Sequence, residues 1–291
     1  FYQQHHILTT MHSLFEYNIL YINLDSREDR RENIEQQLMG LGLFNRRDRI
    51  TQRISGVVGK DLYDPEYAQS IADEFGVSID KMTPEYWLSR KNFKTMSNNK
   101  ARIIGQVGCY LGHLRAIKFA IENDLGNVII LEDDCSFLAL RGTAITFPKP
   151  PSSTELFYLG GLFWHQTSTP KPLKSSEDHW IRIKTDELKV PCAFAYGFIN
   201  RKTIRNTATL LQNVWKDGKG RDKPKDWRTD DERIRATALD FMFLNFIQAK
   251  GRAHIISNVK AVQSDAFISD VTDVGKKTPK KPYKHSYFYS S

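Results

Sequence analysis

Residues 128–134 read Val-Ile-Ile-Leu-Glu-Asp-Asp, and this stretch is the strongest indication of the fold class. A continuous run of four apolar residues is typical of a strand that is covered on both faces. The run ends abruptly in three carboxylates, and the carboxyl end of a central parallel strand is where α/β sheets bind ligands. The stretch therefore predicts an α/β fold with a polar site directly after this strand.

A strand, a helix and a second strand are predicted upstream of this stretch. Residues 19–24 are a short apolar run rich in β-forming residues, and a charged helical stretch continues to about residue 38. Residues 53–58 have the pattern of a second short strand. Such a βαβ unit implies a parallel sheet, because the crossover helix returns the chain to the same end of the sheet.

The rest of the chain repeats this alternation. An amphipathic helix is expected over residues 106–123, and proline marks helix starts at Pro65 and Pro84. Further along, we predict strands at 156–159, 193–199 and 254–256, helices at 202–214 and 240–250, and a loop at 215–228.

A single domain is expected over residues 19–271, because no internal repeat or convincing linker interrupts it. Residues 1–18 are interpreted as an N-terminal extension that could be vector-derived in part, since Met11 is a plausible start. Residues 272–291 form a basic tail that contains proline. We expect this tail to be solvated, and the alternative is that it folds over the phosphates of a substrate.

The composition is that of a folded, basic protein. Hydrophobic residues make up 40% of the 291 residues, and the formal net charge is +8. This charge suits a phosphate-rich partner, which could be nucleic acid, an anionic membrane surface or a nucleotide-sugar. The three cysteines lack a Cys-x-x-Cys pair, so we expect buried, reduced thiols. No apolar run approaches the roughly 18 residues of a membrane span and no signal-peptide pattern is present, so we expect a soluble chain.

The acidic triplet Glu132, Asp133 and Asp134 carries the sharpest chemical signal. Three carboxylates after a buried strand repel one another unless a cation neutralises them. Mn²⁺ and Mg²⁺ take oxygen ligands and commonly bridge carboxylates to a substrate diphosphate. The triplet therefore indicates a divalent cation site, and a solvated turn after a strand is the alternative.

Polar and cationic residues follow the first predicted strand and should reach the same edge of the sheet. Asn23, Arg27 and Arg30 could hold a nucleotide there. The alternative is that the arginines are solvated and pair weakly with glutamates of their own helix.

The helix before the triplet carries Gly105, Gly108 and Gly112. Each glycine in a helix interior costs roughly 1 kcal/mol relative to alanine, which suggests close approach of a ligand or of another backbone. His113 on the same helix could contact the ligand, and a satisfied structural histidine is the alternative.

Four stretches resemble glycosyltransferase family 25, which includes bacterial lipooligosaccharide galactosyltransferases and collagen hydroxylysine galactosyltransferases. Residues 21–31, Tyr-Ile-Asn-Leu-Asp-Ser-Arg-Glu-Asp-Arg-Arg, are similar to the family's opening INL..R.DRR. The later matches follow in the family's order: 105–114 with GE.GC..SH, 129–134 with..LEDD, and finally Val262-Gln263 with Ser269-Asp270.

The chain departs from the family's pattern at three places. Gln106 stands where the family has glutamate, and Gly112 stands where it has the serine before histidine. The family usually has a proline before a later Val-Asp pair. In this chain Leu239-Asp240 stands at the place of that pair, and the proline is absent. These departures bear on substrate preference more than on diphosphate binding, because the acidic triplet and the opening arginines remain.

The resemblance implies a GT-A type (Rossmann-like) fold with a mostly parallel central sheet flanked by helices. It also implies a UDP-sugar donor, UDP-galactose or UDP-glucose, and Mn²⁺ (or Mg²⁺) at the triplet. By analogy, Asp134 would bind the metal directly, and Glu132 or Asp133 would meet the ribose or the metal. Asn23, Arg27 and Arg30 would line the nucleotide pocket, with Gly105, Gly108 and His113 beside the donor.

Members of this family are generally assigned as inverting, so a general base is needed. Asp240 matches the family's late aspartate and is our candidate, with a helix N-cap as the alternative role. Gln263, Asp265 and Asp270 would close the site from the C-terminal side, with Asp265 as the candidate metal ligand among them.

Two other classes of protein stay open on the sequence. One is a metal-dependent nucleotidyl- or phosphotransferase, although the phosphate-binding loop of P-loop enzymes is missing. The other is a non-catalytic, basic nucleic-acid-binding module, which would leave the triplet unexplained. The acceptor could be a glycan, a lipid-linked glycan or a collagen-like hydroxylysine. We expect a cytoplasmic or membrane-peripheral location, or a secretory lumen if the chain is an excised domain, and the oligomeric state is open.

Overall fold

The structure is a computed structural model. It describes residues 11–89, 100–138, 143–160, 178–183, 194–212 and 250–264, the strand pieces 164–165 and 188–189, and the single positions Leu239, Phe243, Ile247 and Gln248. The predicted loop at 215–228, the basic tail, Cys192, Asp240, Asp265 and Asp270 lie outside the described residues.

Five α-helices and three short 3-10 helices are described. The α-helices are α1 (Glu28–Gly40), α2 (Pro65–Phe75), α3 (Pro84–Ser89), α4 (Lys100–Glu122) and α5 (Arg201–Gln212). The 3-10 helices are Leu14–Glu16, Gly59–Tyr63 and Ile79–Lys81.

Thirteen strands are described. They are β1 (Met11–Ser13), β2 (Asn18–Asn23), β3 (Thr51–Ser55), β4 (Val128–Glu132), β5 (Cys135–Phe137), β6 (Thr146–Pro148), β7 (Leu156–Tyr158), β8 (Trp164–His165), β9 (Trp180–Arg182), β10 (Leu188–Lys189), β11 (Ala195–Phe198), β12 (Ala253–Ile256) and β13 (Ala261–Gln263).

Seven of these strands form the central sheet, in the order β3-β2-β4-β11-β7-β12-β9. The pairs β2/β3, β2/β4 and β7/β12 are parallel. Strand β11 runs against both of its neighbours, and β9 runs against β12. The expected α/β, Rossmann-like fold is therefore confirmed, with β11 inserted antiparallel within the sheet and β9 antiparallel at its edge.

The N-terminal βαβ unit positions the polar residues that follow β2. Helix α1 begins at Glu28, and acidic residues in its first turn complement the positive end of the helix dipole. Its buried side chains Ile34 and Leu38 hold it against the sheet. Strand β2 lies between β3 and β4, with Asn23 opposite Ser55 and Ile22 opposite Glu132. The carboxyl ends of these strands therefore meet at one edge.

Both faces of the central strand β4 are covered, as its continuous apolar run predicts. Val128 and Ile130 belong to the core under α2, α3, α4 and α5. Ile129 and Leu131 belong to a second core that includes residues of α1 and of the shorter strands. The strand is thus buried in a three-layer arrangement, and only its last residue, Glu132, is partly accessible.

Residues 11–18 pack onto the domain. Strand β1 pairs with β6, and Leu14 and Tyr17 are buried in the second core. Ser13 and Glu16 form a reciprocal capping box at the first 3-10 helix. The predicted division of the chain at residue 18 stays a prediction. Residues 11–18 contact the domain through the strand pairing and the buried side chains described above.

Two elements differ by more than two residues from the bounds expected from the sequence. Strand β3 ends at Ser55, and after the last ladder hydrogen bond, from Gly56 N–H to the carbonyl of Asn23, the chain packs against α4 at Gly59. Helix α4 begins at Lys100, more than one and a half turns earlier than its amphipathic pattern indicates. Among the described residues, no helix is both long and apolar enough to cross a membrane.

Candidate functional site

The acidic triplet lies at the edge where β2 and β4 end. Glu132 is the last residue of β4, and Asp133 and Asp134 form the turn that leads into β5. Strand β5 pairs with β13, which brings Gln263 opposite Cys135. Two distant parts of the sequence therefore enclose the triplet, as the ordered motifs lead one to expect.

Asp133 is buried, and both of its carboxylate oxygens are engaged. Arg30 Nη1 donates to Oδ1 at 2.9 Å, and Asn23 Nδ2 donates to Oδ2 at 2.9 Å. Arg30 itself is only 6% exposed. The ion pair compensates the charge of Asp133 inside the protein and ties the turn to β2 and α1.

Asn23 is the centre of a second set of contacts, which the sequence did not reveal. Its Oδ1 accepts a hydrogen bond from Arg53 Nε at 3.0 Å, and its Nδ2 also donates to the carbonyl of Arg27 at 2.9 Å. Arg53 lies on β3 and is also paired with Asp25. The parallel pairing of β2 with β3 is the signal that could have found Arg53.

Asp134 is the member of the triplet with an available oxygen. Its Oδ2 accepts a hydrogen bond from Gln263 Nε2 at 3.0 Å, and Arg30 Nη1 lies 3.8 Å from the same atom. Its Oδ1 is buried and has no hydrogen-bond donor in the described part of the chain. Burial, followed by the charge of Glu132, raises the pKa of Asp134 to about 7.

Glu132 projects toward α4 and contacts His113. The Nε2 atom of His113 lies 2.9 Å from Glu132 Oε1, and its Nδ1 lies 2.9 Å from the hydroxyl of Tyr196. His113 is 1% exposed and stacks on the Tyr196 ring. Burial and the neighbouring Asp133 raise the pKa of Glu132 to about 7.

The glycines of α4 are explained by backbone contacts. A Cβ atom on Gly108 would lie 2.5 Å from the carbonyl oxygen of Val57 and 2.6 Å from the nitrogen of Gly59. Gly59 in turn packs against the backbone at Ile104 and Gly105. Of the two alternatives posed by the sequence, the close approach of another backbone accounts for Gly108, and a role for Gly105 and Gly108 beside the donor stays a prediction.

Arg27 stands directly before α1 and bonds to Asp29 through two atoms. Its Nε and Nη2 donate to the two carboxylate oxygens at 3.0 and 2.9 Å. The side chain of Arg27 is 19% exposed, so it is the more accessible of the two opening arginines that we singled out.

The structure thus brings most of the predicted site residues to one edge of the sheet. Those in direct contact with one another or with the triplet are Asn23, Arg27 through its carbonyl, Arg30, His113, Glu132, Asp133, Asp134 and Gln263. The predicted roles of Asp240 and Asp265 concern positions outside the described residues.

The donor set at the triplet fits a hard divalent cation. The free oxygen of Asp134 and the carboxylate of Glu132 are both oxygen ligands of the kind that Mn²⁺ and Mg²⁺ prefer. Burial raises the pKa of both carboxyls, and a neighbouring negative charge adds to it, Asp133 for Glu132 and Glu132 for Asp134, so a bound cation would relieve both effects. The charge of Asp133 is already compensated by Arg30, so Asp133 holds the turn in place and is not counted among the cation ligands.

Two comparisons with known proteins agree with the motifs. Residues 17–176 match the family described as Glycosyltransferase family 25 (LPS biosynthesis protein). A protein of Drosophila pseudoobscura pseudoobscura, named Glycosyltransferase 25 family member, is 26% identical over 168 residues. The aligned part is 56% of this chain and 22% of that relative, so the chain spans well under two thirds of the relative's length.

Proposed function

The chain belongs to glycosyltransferase family 25, and from this premise we propose that it transfers a hexose, galactose or glucose, from a UDP-sugar to an acceptor hydroxyl with the help of a divalent cation. That it is a glycosyltransferase follows from the family. The UDP-sugar donor and the inverting course of the reaction are what the family resemblance implies, and the geometry of the site supports the cation.

One observation carries the proposal. A buried carboxylate oxygen of Asp134 has no hydrogen-bond donor among the described residues, and the charge of Glu132, the last residue of β4, disfavours the ionised form of Asp134. A buried carboxylate close to a second carboxylate is unfavourable as an ion, because burial and like charge both disfavour its ionised form. A divalent cation held by these residues would offset the charge of the carboxylates and that of a diphosphate.

Asp134 and Glu132 would hold the cation, with Asp265 as a further predicted ligand. When bound, a divalent ion of this kind neutralises the charge that develops on a departing nucleotide diphosphate. Gln263 donates a hydrogen bond to Oδ2 of Asp134, and this bond fixes the orientation of the carboxylate. The other oxygen, Oδ1, would then be the atom offered to the cation.

The cationic and amide groups beside the triplet would bind the nucleotide. Arg27 is accessible at the start of α1, where backbone N–H groups and the helix dipole also favour phosphate. Arg30 and Asn23 are committed to Asp133. Their contribution to nucleotide binding would therefore be to hold the turn in place and to make the edge of the sheet more positive.

The transfer itself would be a single displacement at the anomeric carbon. The acceptor oxygen forms the new bond to this carbon while the bond to the UDP oxygen breaks, which inverts the configuration. The acceptor hydroxyl loses its proton to a general base, for which Asp240 is our candidate. The UDP leaves with the electron pair of the broken bond.

The acceptor is proposed as a class of hydroxyl compounds. The description of the matching family as an LPS biosynthesis protein favours a glycan or a lipid-linked glycan. A hydroxylysine-type protein acceptor is the alternative that the family resemblance adds. A nucleic-acid partner is not favoured, because the carboxylates of the triplet would repel its phosphates.

The proposal is tested by measuring release of UDP from a panel of UDP-sugars in the presence of Mn²⁺, with and without EDTA. We expect turnover with UDP-galactose or UDP-glucose that EDTA abolishes and that an acceptor glycan accelerates. Turnover that is equal with EDTA would contradict the role of the cation. Cleavage of the panel to UMP and a sugar phosphate would instead indicate a phosphotransferase.

A further inference from the structure

A second cluster of metal-ligating groups lies next to the triplet but faces α4. Cys109 and His113 are one helical turn apart, so both side chains project from the same face of α4. Glu132 at the end of β4 meets them from the sheet. One ligand atom from each of the three residues lies within 4.8 Å of the others.

The distances within this cluster are close to those around a bound ion. Cys109 Sγ lies 3.9 Å from Glu132 Oε1, and His113 Nε2 lies 2.9 Å from the same oxygen. Tetrahedral Zn²⁺ with bonds of about 2.0–2.3 Å separates its ligand atoms by roughly 3.3–3.6 Å. Small side-chain adjustments would therefore convert the present contacts into a coordination shell.

The chemistry of the three groups differs from that of the triplet. A thiolate, an imidazole and a carboxylate form a set that suits Zn²⁺, whereas Mn²⁺ and Mg²⁺ prefer oxygen ligands alone. Three protein ligands also leave a fourth position for water. The cluster thus distinguishes a softer ion from the hard ion that we propose at Asp134.

The histidine is already oriented for ligation. Its Nδ1 lies 2.9 Å from the hydroxyl of Tyr196, which is buried on β11, and the two rings stack. Histidine ligands commonly bond through their second nitrogen to a fixed partner, which orients the first nitrogen toward the metal. Cys109 and Glu132 are both partly exposed, so an ion can reach the cluster from solvent.

We propose that Cys109, His113 and Glu132 form a binding site for Zn²⁺ or a similar borderline-soft divalent ion, oriented by Tyr196. Glu132 belongs both to this site and to the acidic triplet. A bound Zn²⁺ therefore withdraws Glu132 from the hard-ion site and inhibits the enzyme. The inhibition rests on the proposed function, whereas the binding of Zn²⁺ does not.

Cobalt(II) is a direct probe of this site, because its bond to a thiolate produces a near-ultraviolet charge-transfer band. The protein is first stripped of metal with EDTA and then titrated with Co²⁺. We expect the band to saturate at one equivalent and to disappear when Zn²⁺ is added. Absence of a thiolate band in the wild-type protein would overturn the proposal.

Matched variants separate this site from the triplet. Cys109→Ser should abolish the thiolate band, and Cys109→Ala provides a second variant with the same expected loss. Tyr196→Phe should keep the band but weaken Co²⁺ binding by about tenfold or more, the usual effect of removing a group that orients a histidine ligand. Asp134→Asn should leave the band unchanged. A band that persists in both Cys109 variants would contradict the assignment.

The inhibitory effect is measured separately, as UDP release at increasing Zn²⁺. Wild type should be inhibited over the same range of Zn²⁺ that displaces Co²⁺, and Cys109→Ser should resist that inhibition. A protein that shows the Co²⁺ band but no turnover with any donor would overturn the proposed function and support the site. Equal inhibition of wild type and Cys109→Ser would overturn the regulatory part.

Discussion

Replacement of Asp134 by asparagine is expected to reduce UDP-sugar turnover by two to three orders of magnitude, roughly 10²- to 10³-fold, as removal of a single charge-stabilising group does in other active sites. Asparagine has the same shape and keeps one oxygen that can accept the hydrogen bond from Gln263. It lacks the second carboxylate oxygen and the negative charge that a divalent cation needs.

This substitution should not destabilise the fold. Burial and the charge of Glu132 raise the pKa of Asp134, so its ionised form is disfavoured in the folded protein. A neutral amide removes that repulsion, and the melting temperature should be unchanged or higher. The measurement is UDP release at saturating Mn²⁺, accompanied by a thermal melt of each protein.

Asp124→Asn is a matched control, because it removes the same charge from the opposite end of β4. Asp124 is on the surface and pairs with Arg201 and Arg205, both well exposed. Its φ of 50° is a backbone conformation that asparagine tolerates. Turnover of Asp124→Asn should equal that of wild type. Equal turnover of wild type and Asp134→Asn would show that the carboxylate of Asp134 is not needed for the reaction.

Replacement of Arg30 by methionine is expected to have the largest effect on stability. Methionine keeps much of the apolar stem, but Asp133 then remains buried without its cation. Breaking a buried ion pair from one side costs about 3–5 kcal/mol, because the remaining charge is left uncompensated. Urea denaturation should show this loss in the free energy of unfolding.

Arg31→Met provides the control from the neighbouring position on the same helix. Its guanidinium lies 3.7 Å from Glu28, which is mostly exposed, and such surface pairs contribute only about 0–1 kcal/mol. The double variant Arg30→Met with Asp133→Asn should recover part of the stability, since it removes the isolated charge. Equal losses for Arg30→Met and Arg31→Met would show that Asp133 does not depend on Arg30.

The local pattern of the chain was sufficient to predict β2, α1 and β4. Each has a simple period or run, and the burial of β4 on both faces follows directly from four consecutive apolar residues. The meeting of Asn23 with the triplet was also predictable, because parallel neighbours present their carboxyl ends at one edge.

Features that depend on tertiary contacts were beyond such reasoning. Nothing in the residues of β11 indicates that it runs antiparallel, because strand direction depends on the path of the chain before it. The sequence indicated that a glycine at position 108 lowers helix stability, but it did not indicate whether a ligand or another backbone segment required the glycine. The spacing of Cys109 and His113 was visible, yet their meeting with Glu132 requires the packing of α4 on the sheet.

Glu132 and Asp134 are proposed to hold a hard divalent cation that binds a nucleotide diphosphate. This role is tested by a calorimetric titration of UDP into the metal-free protein, with and without Mn²⁺, at two pH values. The pKa of each free carboxyl is raised to about 7, so protons compete with the cation at low pH. We predict UDP binding that requires Mn²⁺ at about pH 7.5 and weakens by roughly tenfold or more at about pH 5, where both carboxyls are protonated in the absence of metal. Binding of UDP that is equally strong without Mn²⁺, or no binding at either pH, would contradict the account.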